Sequence, residues 1–168
     1  MQQTQQPINH IQWIHKDKLK ANNYNPNHVF PKELELIARS IQRNGWLQPI
    51  IINQDNTIID GFHRVTLIKT TPQLSKLTNH KIPCIQLNLT PTQQKLLTIR
   101  INRAKGTHTA YKMHEVIQQL HHEGLTIETI AKEIGANKEE ITLLLHDNIF
   151  EKENFTETSK YSQAWTPK

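Results

Sequence analysis

Gly45-Trp46-Leu47-Gln48-Pro49-Ile50-Ile51-Ile52-Asn53-Gln54-Asp55-Asn56-Thr57-Ile58-Ile59-Asp60-Gly61-Phe62-His63-Arg64 is the stretch that decides the fold. Two short apolar runs, Ile50-Ile51-Ile52 and Ile58-Ile59, flank the polar turn 54–57, a pattern that predicts a hairpin with a buried face. Helical spacing begins at once after it, in Val65, Leu67 and Ile68. Strand, glycine, helix start and arginine in that order make an anion site. Gly61 lets the backbone turn tightly and approach a ligand. The first helical N–H groups lack intrahelical acceptors, and the positive end of the helix dipole adds to the side chains of His63 and Arg64. The same order also describes an ordinary strand–turn–helix with Asp60 as N-cap.

The segment D-G-F-H-R after an Ile-rich strand, preceded by N-G-W-L-Q-P, resembles the ParB/sulfiredoxin nucleotide-binding fold. In chromosome-partition ParB proteins the corresponding motif is G-E-R-R and holds CTP phosphates. In sulfiredoxin it is G-G-C-H-R with a catalytic cysteine, and in archaeal free-serine kinases it is close to D-G-H-H-R. Phe62 stands at the sulfiredoxin cysteine, so the resemblance does not extend to that chemistry. It implies phosphate contacts at Gly61, His63 and Arg64. It adds Gly45 and Gln48 from the G-x-x-x-P turn that lies against the nucleotide in the family.

A second motif, Arg100-Ile101-Asn102-Arg103-Ala104-Lys105-Gly106-Thr107-His108, is similar to the third ParB nucleotide motif, E-N-x-Q-R. The resemblance makes Asn102, Arg103 and Lys105 candidate nucleotide residues. Ile101 stands at the acidic position that helps hold a metal in ParB, which puts Mg2+ dependence in question. The form N-R-A-K-G-T-H is similar to the IbrB-like prophage co-activator subgroup. Without the resemblance, Arg103 and Lys105 are cations at a helix C-terminus, where the dipole favours them.

At 168 residues the chain is long enough to bury a core. It has no apolar run of membrane-spanning length and no secretory signal, so a cytoplasmic protein is expected. The single cysteine, Cys84, lies in an apolar strand-like run and reads as a buried small hydrophobe. Up to His122 there are 15 Lys/Arg against 6 Asp/Glu; from Glu123 onward there are 5 against 9. Attraction to nucleic acid is therefore expected from the first three quarters.

The division read from the sequence is a disordered arm at 1–7, an α+β nucleotide-binding domain at 8–106, a helical helix-turn-helix-like module at 107–150 and a polar tail at 151–168. A strand over His10–His15 opens the first domain, and Pro31 starts a helix with Leu34, Ile37, Ala38 and Ile41 on its apolar face. Thr70 to Lys81 reads as a polar connection, and Ile82 to Leu89 as a strand. Thr90-Pro91-Thr92-Gln93 is a helix start. In the module, Gly135-Ala136 turns into an Asn137-capped helix with Glu140 at its third position. Its first turn, with Glu139 and Glu140, is unsuited to a phosphate backbone. His108, His114, His121 and His122 read as solvated rather than as metal ligands. Phe155, Tyr161 and Trp165 are spaced aromatics in the tail.

The leading expectation is a nucleotide-binding regulatory or DNA-associated protein whose ligand, CTP or ATP with or without Mg2+, biases the helical module. Expected partners are the nucleotide, DNA through the basic first domain, and a second copy or another protein through the module. The alternative is an enzyme that uses the nucleotide, a free-serine-kinase-like phosphotransferase or an NTPase/nuclease. Asp60 would then be base or magnesium ligand and His63 a contact to the transferred phosphate.

Overall fold

The computed structural model describes residues 6–24, 31–105 and 110–146, with backbone alone for 110–112. Most of the expected arm, Gly106, His108 and the tail with Phe155, Tyr161 and Trp165 lie outside the described residues. Packing divides the chain into two units, Met1–Asn23 with Pro31–Thr90, and Tyr24–Phe30 with Pro91–Lys168. The sequence-based division was drawn later, between 106 and 107. No helix of the described residues is long and apolar enough to cross a membrane.

The Ile-rich runs form the hairpin of the first unit. Strand β2 (Ile50–Asn53) pairs antiparallel with β3 (Ile58–Asp60), with a bulge at Ile51/Ile52. Asp55 closes the turn, accepting from the Thr57 amide at 3.1 Å and from the Thr57 hydroxyl at 2.7 Å. The hydroxyl bond is the main reason its carboxyl sits below the ordinary value. Strand β4 (Lys81–Leu87) runs parallel to β2, and β1 (Ile11–His15) lies antiparallel on its far side. The sheet order is β1-β4-β2-β3.

One face of this sheet carries the core. Ile50, Ile52, Ile58, Ile82 and Cys84 pack with Ile41 of α1 (Pro31–Asn44), Val65 and Ile68 of α2 (Phe62–Thr70), and Leu74 of α3 (Pro72–Leu77). Burial pushes the Cys84 thiol up to about 12, so it stays protonated and inert, as a packing residue should. The α1 face is shallower than its pattern implies: only Ile41 is buried, Ile37 and Ala38 are partly so, and Leu36 is 62 % exposed. Trp46 packs against the core, whereas Leu47 is 71 % exposed and does not join it.

Helix α3 corrects the expected polar connection. Pro72 starts it and it buries Leu74 and Ser75, but six residues are too few to show a 3.6-residue period in sequence. The chain leaving β4 is pinned by a side chain. Asn53 accepts from the Leu89 amide at 2.9 Å and donates to its carbonyl at 3.3 Å, extending the ladder where the strand has ended.

The second unit is helical: α4 (Pro91–Lys105), α5 (Ala110–His122), α6 (Ile127–Ile134) and α7 (Lys138–Leu145). Its core joins Leu96 and Ile99 to Met113, Val116, Ile117 and Leu120, then to Ile130, Ile134, Ile141 and Leu144. These are the positions that helical periodicity selects. The Thr126 hydroxyl caps α6, and the Asn137 carbonyl accepts from the Glu140 amide at 2.7 Å to cap α7. His114 departs from the solvated reading. It is 7 % exposed, with Nδ1 bonded to the Leu144 carbonyl, and so ties α5 to the end of α7. His121 is exposed, as expected, with Nδ1 at 3.0 Å from the Leu125 carbonyl.

Replacing Asn53 by Ala removes its side-chain bonds to the Leu89 amide and carbonyl, a cost of about 1–3 kcal/mol. The urea midpoint of the Asn53→Ala protein should fall clearly below wild type; an unchanged midpoint would show that the Asn53–Leu89 pair does not hold the chain after β4.

Candidate functional site

The turn from β3 into α2 is built around a glycine that nothing else can replace without strain. Gly61 has φ +95°, and a Cβ placed there would lie 2.4 Å from Ile50 Cδ1 and 3.1 Å from Arg64 Nη2. Ile50 is fully buried, so it has little room to give. Both the backbone conformation and the space therefore demand glycine. Gly61 occupies the N-cap position of α2 and no side chain caps the helix there. That corrects the reading of Asp60 as N-cap: Asp60 is still the last residue of β3. Its carboxylate instead faces Arg64, Nη2 to Oδ2 at 3.4 Å, one helical turn ahead.

Arg64 is the hub of this turn. Its Nη1 donates to the Gln48 carbonyl at 2.7 Å and reaches the Pro49 carbonyl at 3.5 Å. The guanidinium thus ties the α2 entry to the chain approaching β2. Burial lowers its pKa below the ordinary value, and the Asp60 charge opposes that shift. An arginine stays charged under either influence, so the turn presents a fixed, partly desolvated cation beside an open helix N-terminus. His63 precedes it, its ring edge-on to Phe62 at 5.8 Å. Phe62 itself packs against the core.

Of the candidates expected in the first unit, the structure brings Gln48, Asp60 and Arg64 into one bonded cluster against Gly61, with Gln48 contributing its backbone carbonyl. Gly45 closes α1 with φ +72°, its amide bonded to the Ile41 carbonyl at 3.0 Å. Two residues here escaped sequence reasoning. Asn22 donates to the Ile58 carbonyl at 2.6 Å, and its Oδ1 is buried without a partner among the described residues. Lys69 donates to the Leu19 carbonyl at 2.8 Å. Both bonds join residues far apart in sequence, and no local pattern announces them.

Asn102, Arg103 and Lys105 belong to α4 and are described within the second unit. Asn102 is only 3 % exposed, and Lys105 is exposed in the last turn. Arg103 makes a two-pronged pair with Glu140, at 2.5 and 3.2 Å, and donates to the Gly135 carbonyl at 3.3 Å. The Glu140 carboxylate, placed by sequence at the third position of a cap, is thus spent on a neighbouring helix. Two more cations of α4 follow suit: Lys95 bonds Glu123, and Arg100 pairs with Glu133 at 2.6 Å. The Lys95 bond is the first cause holding the Glu123 carboxyl below its ordinary value. Of the acidic first turn of α7, Glu139 remains exposed.

A family model described as the ParB N-terminal domain matches residues 1–101. The uncharacterized protein YbdM of Escherichia coli (strain K12) is 34 % identical over 168 residues, covering 98 % of this chain and 79 % of that protein. Among solved structures, the C-terminally truncated ParB of Caulobacter crescentus complexed to the centromeric parS site is similar with a TM-score of 0.52 and 20 % identity. That match covers 79 % of this chain and 69 % of the other. The same truncated protein complexed with CTP-γ-S gives a TM-score of 0.47 at 19 % identity, over 80 % and 76 % of the two chains.

Gly61→Ala forces a side chain into the left-handed region and against Ile50, at a cost of about 1–3 kcal/mol. Its melting temperature in the absence of any ligand should drop; a melting temperature equal to wild type would mean that the turn is not held as tightly as this packing requires.

Proposed function

The chain belongs to the ParB N-terminal domain family, and from that premise we propose that its first unit binds the phosphates of a nucleoside triphosphate at the Gly61–Arg64 turn. One observation carries this reading: a glycine-entered helix with no side-chain cap, beside a partly buried arginine locked in place by Gln48 and Asp60. An N-terminus of this kind supplies backbone N–H donors and the positive end of the dipole, and a pre-positioned cation loses little entropy on binding. The motif likeness to ParB supports CTP first and ATP second. His63 is the second side chain assigned to the phosphates. Nucleotide occupancy is the signal, and the helical unit is the responder, in a regulatory protein rather than a metabolic enzyme.

Association with DNA is the second half of the proposal. The cation excess before His122 supports sequence-independent, salt-sensitive binding. The helical unit supports it less. A recognition helix meets the backbone with its first turn, and α7 opens with Glu139 exposed and Glu140 held by Arg103.

Titration calorimetry with CTP, ATP, GTP and UTP, with and without Mg2+, tests the nucleotide reading. Arg64→Ala should lose a charge-assisted contact of roughly 1.5–3 kcal/mol, tenfold or more in affinity. His63→Ala, which leaves the Arg64 anchor in place, should weaken binding to a lesser degree. Full affinity in both variants, or no binding of any triphosphate by the wild type, overturns the proposal.

A further inference from the structure

Strand β1 is the edge of the sheet, and its outward face is apolar where an edge should be guarded. Alternation sends Ile14 toward the core and sends Ile11, Trp13 and His15 to the opposite face. Trp13 is 54 % exposed, Ile11 43 %, and Ile8 in the turn just before the strand 52 %. Opposite them on β4 stand Ile85, Pro83 and Lys81.

The end of this face is shaped by a strained turn. Asn79 and His80 are consecutive non-glycine residues with positive φ, 49° and 59°. Such a pair is costly and persists only when its surroundings fix it. His80 is fixed at several points. Its amide donates to the Ser75 carbonyl at 2.8 Å, its Nδ1 lies 2.7 Å from the Ser75 hydroxyl, and its carbonyl accepts from the Lys16 amide at 2.8 Å. The turn holds the His80 ring 6.1 Å from that of His15, tilted by 37°. Lys81 follows it directly and pairs with His15 across the strands. Lys16 and Lys18 leave β1 at the same end. Among the described residues, no carboxylate is bonded to Lys16, Lys18 or Lys81; the one acid nearby, Asp17, is paired with His15 at 3.4 Å.

We infer that this face is a binding surface for single-stranded nucleic acid, with a base stacked on Trp13 and the adjoining phosphates on Lys16, Lys81 and the His15–His80 pair. An exposed indole on a sheet, bordered by imidazoles and by lysines that no carboxylate of the described residues pairs, matches a strand that offers one π-face and one charge per nucleotide. The lysines select this occupant over an apolar peptide or a second copy of the chain, whose own β1 would bring the same cations against them. The inference localises the DNA association proposed above and rests on that reading. It is independent of the nucleotide site.

The probes are a 20-nucleotide oligothymidylate and a duplex of equal length, titrated into the full chain at two salt concentrations, with tryptophan fluorescence and anisotropy as readouts. Oligothymidylate should quench the wild-type emission. Trp13→Ala should lose most of that quench and bind the single strand tenfold or more weakly, with its duplex affinity little changed. Lys81→Glu should weaken both. Circular dichroism and sedimentation confirm that each variant is folded and report its oligomeric state. Wild-type binding that is indifferent to Trp13→Ala overturns the surface while leaving the association reading in place. No binding of either probe by the wild type overturns both. A change in oligomeric state on Trp13→Ala, with single-strand affinity unaltered, assigns the face to a second copy instead.

Discussion

The Arg64 guanidinium is the constraint on which the first unit's site depends. It joins the last residue of β3, the first turn of α2 and the two carbonyls that lead into β2. Gly61 lies against it, with φ +95° and no space for a Cβ, so glycine is the residue that fits this turn. A charged group that is partly buried must have its donors satisfied, or the desolvation cost exceeds what its charge returns. Here two backbone carbonyls take up Nη1 and Asp60 faces Nη2. The arrangement that keeps Arg64 folded in place is also what leaves it pre-oriented for an anion.

The helical unit uses charge in another way. Lys95, Arg100 and Arg103 of α4 meet Glu123, Glu133 and Glu140. Each carboxylate comes from a different place after α4: one just past α5, one in α6 and one in α7. Exposed pairs such as Arg100–Glu133 contribute little each, and the apolar core from Leu96 to Leu144 holds the unit together. What the pairs supply is orientation, by fixing which face of α4 each later element meets. They also remove these three cations of α4 from the surplus that the sequence counts as available for nucleic acid. Lys16 and Lys18, just after β1, and Lys81, the first residue of β4, pair with no carboxylate among the described residues.

The first half of the chain was largely legible. The Ile runs gave the hairpin, Gly45 and Pro31 bounded α1, and D-G-F-H-R placed a strand–glycine–helix junction where the structure has one. Reading failed where the informative distance was not local. The alternative reading of Asp60 as a cap rests on its standing next to a helix, yet Gly61 takes the N-cap position and the Asp60 carboxylate faces Arg64 one turn on. Helix α3 was missed because two buried residues in a six-residue helix make no period. His114 was read as solvated because histidine is polar, whereas a carbonyl on α7, 30 residues away, gives it a partner inside the core.

The sequence by itself determined most of the elements, the apolar faces of the longer ones, the place for glycine at position 61 and the family resemblance. All of these follow from rules that act over a turn or a strand, where the spacing of residues is the physics. Only the tertiary structure decided which ions pair, because a side chain's partner depends on what folding brings near it. It settled that Arg64 serves the Gln48 carbonyl and that Arg103 serves Glu140. It also settled that Trp13 lies on the open side of an edge strand while Ile14, its neighbour in the chain, faces the core.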